Sequence, residues 1–424
     1  MLQDPDEMQR GLGYMGGNPG WLDVIGERRV KYWLRPGREQ AQRSTLNFLR
    51  SVIDQREANV VSVLRSTIGR DTEWNKELIF CLTGIDENWG QNAIEFFEEL
   101  LTDSNTVLDG EHVDWPHFLA NLAEEKPAAA ARIMGAVLSR LSQEAESEGQ
   151  DEDRTWPGEL VEARLPSQHQ FWSAAEKVAS ENPESLLSHF LPAAIDAMEC
   201  SCRARIPGQF RRASLHLWNQ REENPYSPSN RLMSVVVKVA RDLAENKPDT
   251  FRGYIPVLTD NELNPPYRIV ALAMAEQPTE FADDAVEFLC SDERTLRLGP
   301  GDCPHWASRK LIEACSPFWD EQKAAAVEHA ILNITERLEE RADLRNRGRE
   351  KLVLLEALDG ANLTENGQQK LRELRRKFPD YKPDSPGTSE MQWVGPPIEK
   401  EALKKMSDEE WLQAMRDYTD ERPK

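Results

Sequence analysis

The sequence predicts an all-α protein built from degenerate helical repeats. Apolar residues recur with the period of an amphipathic helix through most of the chain, as Ile133, Val137 and Leu141 do along one face. Short segments that stop one helix and start another recur between these stretches. Branched runs typical of strands occur at 60–64 and 235–239. The second run continues directly into a helical stripe and is predicted to be helical, so only the first remains a strand candidate.

A recurring junction is the strongest indication of repeats. In four copies a helix ends in a small residue and Glu, followed by a short polar step and a proline. Proline has a fixed φ and no N–H, so it disfavours helix at the residue before it and suits the first turn of the next helix. The prolines are Pro127, Pro183, Pro248, Pro278 and, in a looser fifth copy, Pro317. Their separations of 56, 65, 30 and 39 residues bracket the lengths of helix-pair repeats. This pattern favours a TPR/HEAT-like α-solenoid or elongated helical array over an ordinary helical bundle.

Composition divides the chain into six segments. Residues 142–153 contain six acids and no base, a composition typical of a solvated linker. Five prolines between 379 and 397 exclude a continuous helix there. We predict an irregular segment at 1–30, helical repeats at 31–141 and 159–378, an acidic flexible linker at 142–158, a proline-rich break at 379–397 and a C-terminal helix at 398–424. Because that last helix has nothing after it to pack on, we expect it to be truncated from a longer array.

The charge and the cysteines restrict the classes of partner and compartment. The formal net charge is −22 and the pI is about 4.9, so the surface as a whole repels phosphate backbones and anionic lipids. A basic cluster at 372–377 is interpreted as the C-terminal end of a helix. No run of about 18 apolar residues occurs, and the six cysteines lack the spacing of a disulfide framework. We therefore expect a cytoplasmic protein that binds neither nucleic acid nor membrane.

The sequence carries none of the common catalytic motifs. The chain contains no Walker-type phosphate-binding loop, no H-E-x-x-H and no C-x-x-C. His112 and His117 flank Pro116, which breaks the helix that would direct both rings to one metal ion. We therefore predict no catalytic, cofactor-binding or metal-binding residue. The alternative is an enzyme whose residues converge only in the fold, with Cys303 and His305 as nucleophile and base.

The twelve tryptophans are interpreted mainly as packing residues between helices. Trp115, Trp156 and Trp393 fall in the breaks between helical stretches. An aromatic residue in a loop has fewer core neighbours, and large aromatic side chains dominate binding hot spots. These three residues are therefore the predicted contacts with a partner.

The C-terminal part of the chain carries a family resemblance. It contains Trp-Val-Gly-Pro-Pro-Ile at 393–398 and Met-Ser-Asp-Glu-Glu-Trp-Leu-Gln-Ala-Met at 406–415. This segment resembles the helical-repeat region of large bacterial STAND/NACHT-type NTPases. The resemblance implies the sensor part of an antiviral defence protein, with a phage protein or an NTPase or effector chain as partner. The chain departs from that family because it has no P-loop. We expect a non-catalytic protein-binding scaffold; the alternatives are the enzyme above and a non-functional fragment of a larger gene.

Overall fold

The computed structural model describes residues 11–12, 17–85, 89–106, 115–149, 169–200, 228–299, 303–335, 347–381 and Ser407. Helices account for all the regular structure in this part of the chain, with no strand. The chain divides into two compact units, 1–384 and 385–424, and all described residues except Ser407 lie in the first. The all-α prediction is confirmed, and the strand candidate at 60–64 is wrong because those residues lie inside a helix.

Seventeen α-helices are numbered here in chain order over the described residues. The first nine are α1 Gly20–Ile25, α2 Glu27–Trp33, α3 Glu39–Arg65, α4 Thr72–Leu82, α5 Gln91–Thr102, α6 Trp115–Glu125, α7 Pro127–Gly149, α8 His169–Glu181 and α9 Pro183–Cys200. The remainder are α10 Pro228–Asn246, α11 Pro248–Thr259, α12 Asn264–Glu276, α13 Pro278–Ser291, α14 Trp306–Cys315, α15 Glu321–Leu332, α16 Arg349–Leu355 and α17 Glu365–Lys377. Two 3-10 helices, η1 Glu293–Arg297 and η2 Ser316–Phe318, lie on either side of α14.

The predicted proline junctions form the helix boundaries. At α6–α7, α8–α9, α10–α11 and α12–α13, one residue separates two helices and the proline is the first residue of the second. The linker N–H still donates to the helix that is ending, as from Lys126 to the Leu122 carbonyl at 2.7 Å and from Lys247 to the Leu243 carbonyl at 2.8 Å. The backbone therefore turns without losing a hydrogen bond, and the missing N–H of proline costs nothing at this position.

The third residue after each junction proline fixes the new helix to the core. These residues are Ala130, Leu186, Phe251 and Phe281, and each is fully buried. Phe251 of α11 and Phe281 of α13 meet edge to face, with their ring centroids 5.5 Å apart. One apolar side chain in the first turn thus sets the direction in which each helix leaves its junction.

Helices contact mainly the next helix and the next but one. One series of next-but-one contacts links α3, α5, α7 and α9. A second series links α6, α8, α10, α12, α14 and α16. In the α7–α9 pair the backbones approach closely: a Cβ on Gly135 would lie 2.2 Å from the carbonyl oxygen of His189. Only glycine permits this backbone approach.

Two predicted boundaries differ from the structure. Helices α1 and α2 begin inside the N-terminal segment predicted to be irregular. Helix α7 continues to Gly149, so the acidic linker does not start at residue 142. Ser142 and Ala145 are buried and continue the apolar face of α7, which holds the helix together despite the neighbouring acids.

The basic cluster is helical, and parts of the predicted segments lie outside the described residues. Residues 372–377 form the last turns of α17, which ends at Lys377. Residues 150–158, and 398–424 apart from Ser407, lie outside the described residues. No helix in the described part of the chain is both long and apolar enough to cross a lipid bilayer.

Candidate functional site

A cavity of about 590 Å³ lies where three helix starts meet, and it is the largest of three cavities described. Its walls are the residues that open α5, the α6–α7 junction and the start of α9. The lining residues are Trp89, Gly90, Gln91, Ile94, Glu125, Lys126, Pro127, Ala128, Ala129, Arg132, Asn182 and His189. We call this cavity the junction groove. Its volume is in the range of ordinary ligand pockets.

Side chains from neighbouring helices fix the walls of the groove. Glu57 of α3 accepts a hydrogen bond from the backbone N–H of Ala93 at 2.8 Å, which caps the first turn of α5. Gly90 lies against that carboxylate, and a Cβ at this position would collide with it. Asn182 accepts from the Ser185 N–H at 3.2 Å and caps α9 in the same way. The groove is therefore built from helix starts that are already held in place.

The floor of the groove is apolar and its rim is polar. Trp89 and Ile94 are 2% and 3% exposed, so they belong to the core. Gln91 and His189 are exposed. Arg132 donates through Nε to Glu98 at 2.8 Å, and its Nη2 is a buried atom without a hydrogen-bond partner among the described residues. The donors that the rim offers to carbonyl or carboxylate oxygens of an extended polypeptide are those of the exposed Gln91 and Lys126.

A second cavity of about 330 Å³ extends this surface toward the N-terminus. It lies along α3, beside Val61, Ser62 and Arg65, and reaches Asn92 in the first turn of α5. Asn92 is adjacent in the chain to Gln91 of the junction groove. The exposed surface of α3, α5, α7 and α9 therefore carries two neighbouring cavities, whereas the third, of about 160 Å³, lies on α10.

Trp115 is not a surface contact. It is the first residue of α6 and is fully buried, with its ring centroid 5.9 Å from that of Phe171 in α8. Pro116 follows it at the second helical position, where proline is compatible with a helix, so the apparent break is a helix start. The prediction of Trp115 as a partner contact is therefore wrong. Trp156 and Trp393, the other two candidates, lie outside the described residues.

The alternative pair Cys303 and His305 lies in the interior. Cys303 and His305 are 6% exposed each. Nδ1 of His305 donates to the Leu296 carbonyl at 3.0 Å, and Nε2 lies 3.3 Å from a carboxylate oxygen of Glu350. One ring nitrogen is therefore held by a backbone carbonyl, and the other lies beside a carboxylate without forming a hydrogen bond. Neither Cys303 nor His305 lines any of the three cavities described.

Burial also determines the ionisation of the Cys81 and Cys315 thiols. It raises the pKa of the Cys81 and Cys315 thiols to about 12, well above the ordinary value. At neutral pH these side chains are therefore neutral thiols in the core, and they act as packing residues. Within the described part of the chain, no group of three or more His, Cys, Asp or Glu residues is arranged to hold a metal ion.

Sequence reasoning missed Arg132, Asn182 and His189 as groove residues. For Asn182 the sequence did contain an indication, because this residue directly precedes a junction proline. What the sequence could not show is that successive junctions lie side by side. A scan against protein-family models, a search of curated proteins and a search of solved structures found no match.

Proposed function

We propose that the chain is a non-catalytic helical-repeat scaffold that binds an extended segment of a partner protein in the junction groove. The observation that carries this proposal is the meeting of the starts of three alternate helices, α5, α7 and α9, around one cavity. A groove lined by equivalent positions of stacked helix pairs suits a partner that runs across the pairs rather than a compact ligand.

Side-chain hydrogen bonds between residues 34 to 36 positions apart support the repeat arrangement. Arg70 donates to the Leu34 carbonyl, 36 residues away. Asn105 donates to the Gly69 carbonyl at the same separation, and Arg140 donates to the Thr106 carbonyl across 34 residues. Arg70 and Asn105 lie just after α3 and α5, and Arg140 lies inside α7. This spacing is that of a helix-pair repeat.

The resemblance at 393–415 gives the proposal a biological setting. In that setting the chain is the sensor part of a STAND-type defence system, and the groove receives a phage protein or an NTPase or effector chain. The neighbouring reading frames test this part separately from the groove. An adjacent NTPase or effector gene would support it, and a locus without either would count against it.

Site-specific photocrosslinking tests the groove directly. A photoreactive phenylalanine analogue would replace Gln91 or His189 in the groove, and Gln369 on the exposed side of α17 as the matched control. In native cells we expect one partner to be captured from both groove positions and not from Gln369. Arg132→Glu should then reduce that capture while leaving the helical circular dichroism unchanged. Capture at Gln369 equal to that in the groove would refute the proposal.

A further inference from the structure

A short segment near the N-terminus is strongly basic in this acidic chain. Residues 28–43 contain six bases and one acid, within a protein of net charge −22. Arg28 and Tyr32 lie four residues apart on one face of α2, and Arg35 and Arg38 follow in the loop after that helix. All four side chains are exposed. We call them the arginine platform.

Tyr32 orders two of these arginines. The guanidinium carbons of Arg38 and Arg35 lie 4.1 and 5.3 Å from the centre of the Tyr32 ring. Arg38 also donates through Nη2 to the Tyr32 hydroxyl at 2.6 Å. A guanidinium stacked on a ring keeps its N–H edge free for a second ligand, so stacking restricts the side chain without using up its donors.

The loop that carries the platform is also fixed. Gly37 adopts a φ of 79°, which a residue with a side chain adopts only with strain. Gln42 donates to the carbonyls of Leu34 and Arg35 at 3.3 and 3.0 Å, and Arg70 donates to the Leu34 carbonyl as well. The guanidinium groups are therefore presented on a held backbone, which lowers the entropy lost when a ligand binds.

The same molecule shows what such an arginine binds. Arg252 of α11 stacks on Phe281, with its guanidinium carbon 4.9 Å from the ring centre. Its three nitrogens form ion pairs with three carboxylates: Asp249 at 2.9 Å, Glu280 at 2.8 Å and Asp284 at 3.2 Å. For Arg28, Arg35 and Arg38, no carboxylate in the described part of the chain lies within ion-pair distance. The arginine platform therefore has the stacking of guanidinium on an aromatic ring that is seen at Arg252, but it lacks the surrounding carboxylates.

We propose that the arginine platform binds an acidic segment of a partner protein, whose carboxylates take the places that Asp249, Glu280 and Asp284 take around Arg252. A short acidic segment suits this surface better than a long nucleic acid does. Local charges act within about 8 Å at physiological salt, whereas a polyanion spanning the protein meets the repulsion of the whole acidic surface. The platform shares no residue with the junction groove, so this inference does not rest on the proposed function.

Fluorescence anisotropy on the full chain tests the platform. The probe is a fluorescein-labelled peptide of alternating Glu and Gly, its neutral twin has Gln in place of Glu, and a labelled oligothymidylate of equal charge is the third ligand. At about 50 mM salt we expect the acidic peptide to bind about tenfold more tightly than its twin. The double variant Arg35→Gln/Arg38→Gln should weaken its binding by about tenfold, because two charge-assisted contacts are lost.

A matched variant separates the effect of losing the platform contacts from the effect of losing two positive charges. Arg372→Gln/Arg376→Gln on α17 removes the same charge from another exposed basic surface, and we expect it to change the affinity by less than about twofold. Tyr32→Leu should give an intermediate loss, because the arginines remain but are no longer ordered. Equal losses from the two double variants, no binding of the acidic peptide, or tighter binding of the oligothymidylate through Arg35 and Arg38 would each overturn the proposal.

Discussion

Replacing Glu350 with Gln tests whether one carboxylate holds together the buried polar network beside α14. Its Oε2 accepts from Nε and Nη2 of Arg297 at 3.2 and 3.1 Å, and its Oε1 lies 3.3 Å from Nε2 of His305. The Arg297 side chain is only 3% exposed. The variant therefore leaves a buried guanidinium facing a neutral amide in place of its counter-charge.

The expected cost follows from burial and from the partners that remain. Removing one member of a fully buried ion pair costs about 3 to 5 kcal/mol. Arg297 keeps Glu293 at 2.7 Å and the Thr335 carbonyl at 2.9 Å, and Glu350 itself is 19% exposed. We therefore expect about 2 to 3 kcal/mol, which corresponds to amide hydrogen exchange in α16 that is about 30- to 150-fold faster.

A second Glu→Gln substitution next to α16 is the control. Glu356 pairs with Arg375 at 3.0 Å, but the Arg375 side chain is 59% exposed. Loss of such a pair costs less than about 1 kcal/mol, so Glu356→Gln should change the α16 exchange rates by less than about fivefold. If the two variants accelerated exchange equally, the argument from burial at Glu350 would be wrong.

The effect of Glu350 also has a defined dependence on pH. Burial alone raises the pKa of this carboxyl, but the hydrogen bonds and charges of His305 and Arg297 outweigh burial and hold the pKa below its ordinary value of 4.5. A carboxyl whose pKa is lower in the folded state than in the unfolded state stabilises the fold at pH values above its unfolded-state pKa. This stabilisation is lost as the pH falls through the folded-state pKa. The difference between wild type and Glu350→Gln should therefore shrink when exchange is measured below pH 4.5. A difference that grows on acidification would contradict this sign.

The remaining predictions concern one close backbone approach and the thiols. Gly135→Ala should lower the free energy of unfolding by about 1 to 3 kcal/mol, because its Cβ would lie 2.2 Å from a carbonyl oxygen of α9. Gly253→Ala, in α11 with nothing within 4 Å of the added Cβ, should raise the free energy of unfolding by up to about 1 kcal/mol. Urea denaturation measures both changes, and changes of the same sign in the two variants would refute the argument from the close approach at Gly135. In native protein, iodoacetamide should modify exposed Cys290 before buried Cys81 and Cys315, as mass spectrometry would show, and simultaneous labelling would contradict their burial.

The helix boundaries at the junctions could be predicted because proline acts locally. Its fixed φ and missing N–H constrain only the residues beside it, so Pro127 and Pro248 begin helices whatever packs against them. The end of α7 could not be predicted in this way. Ala145 is buried, and a window of acids around it gave a composition typical of a linker. Which face of a helix another helix covers is a long-range property.

The candidate sites depended on the same long-range information. Trp115 became a core residue because Phe171, 56 residues later, packs against it. The net charge of −22, averaged over the chain, concealed the basic segment that contains Arg35 and Arg38. Charge has to be counted over the distance at which it acts, which is about 8 Å in physiological salt and far shorter than this chain.

The packing pattern also bears on how far a perturbation spreads. Helix α16 contacts α14, α15 and α17, whereas the junction groove is formed by helices α5 to α9. In an array where each unit contacts only its neighbours, stability is a sum of local interfaces. Glu350→Gln should therefore speed hydrogen exchange in α16 and leave exchange in α5 unchanged. Equal acceleration in both helices would mean that the chain opens as one cooperative unit, and the proposed repeat array would then fail as a description of its energetics.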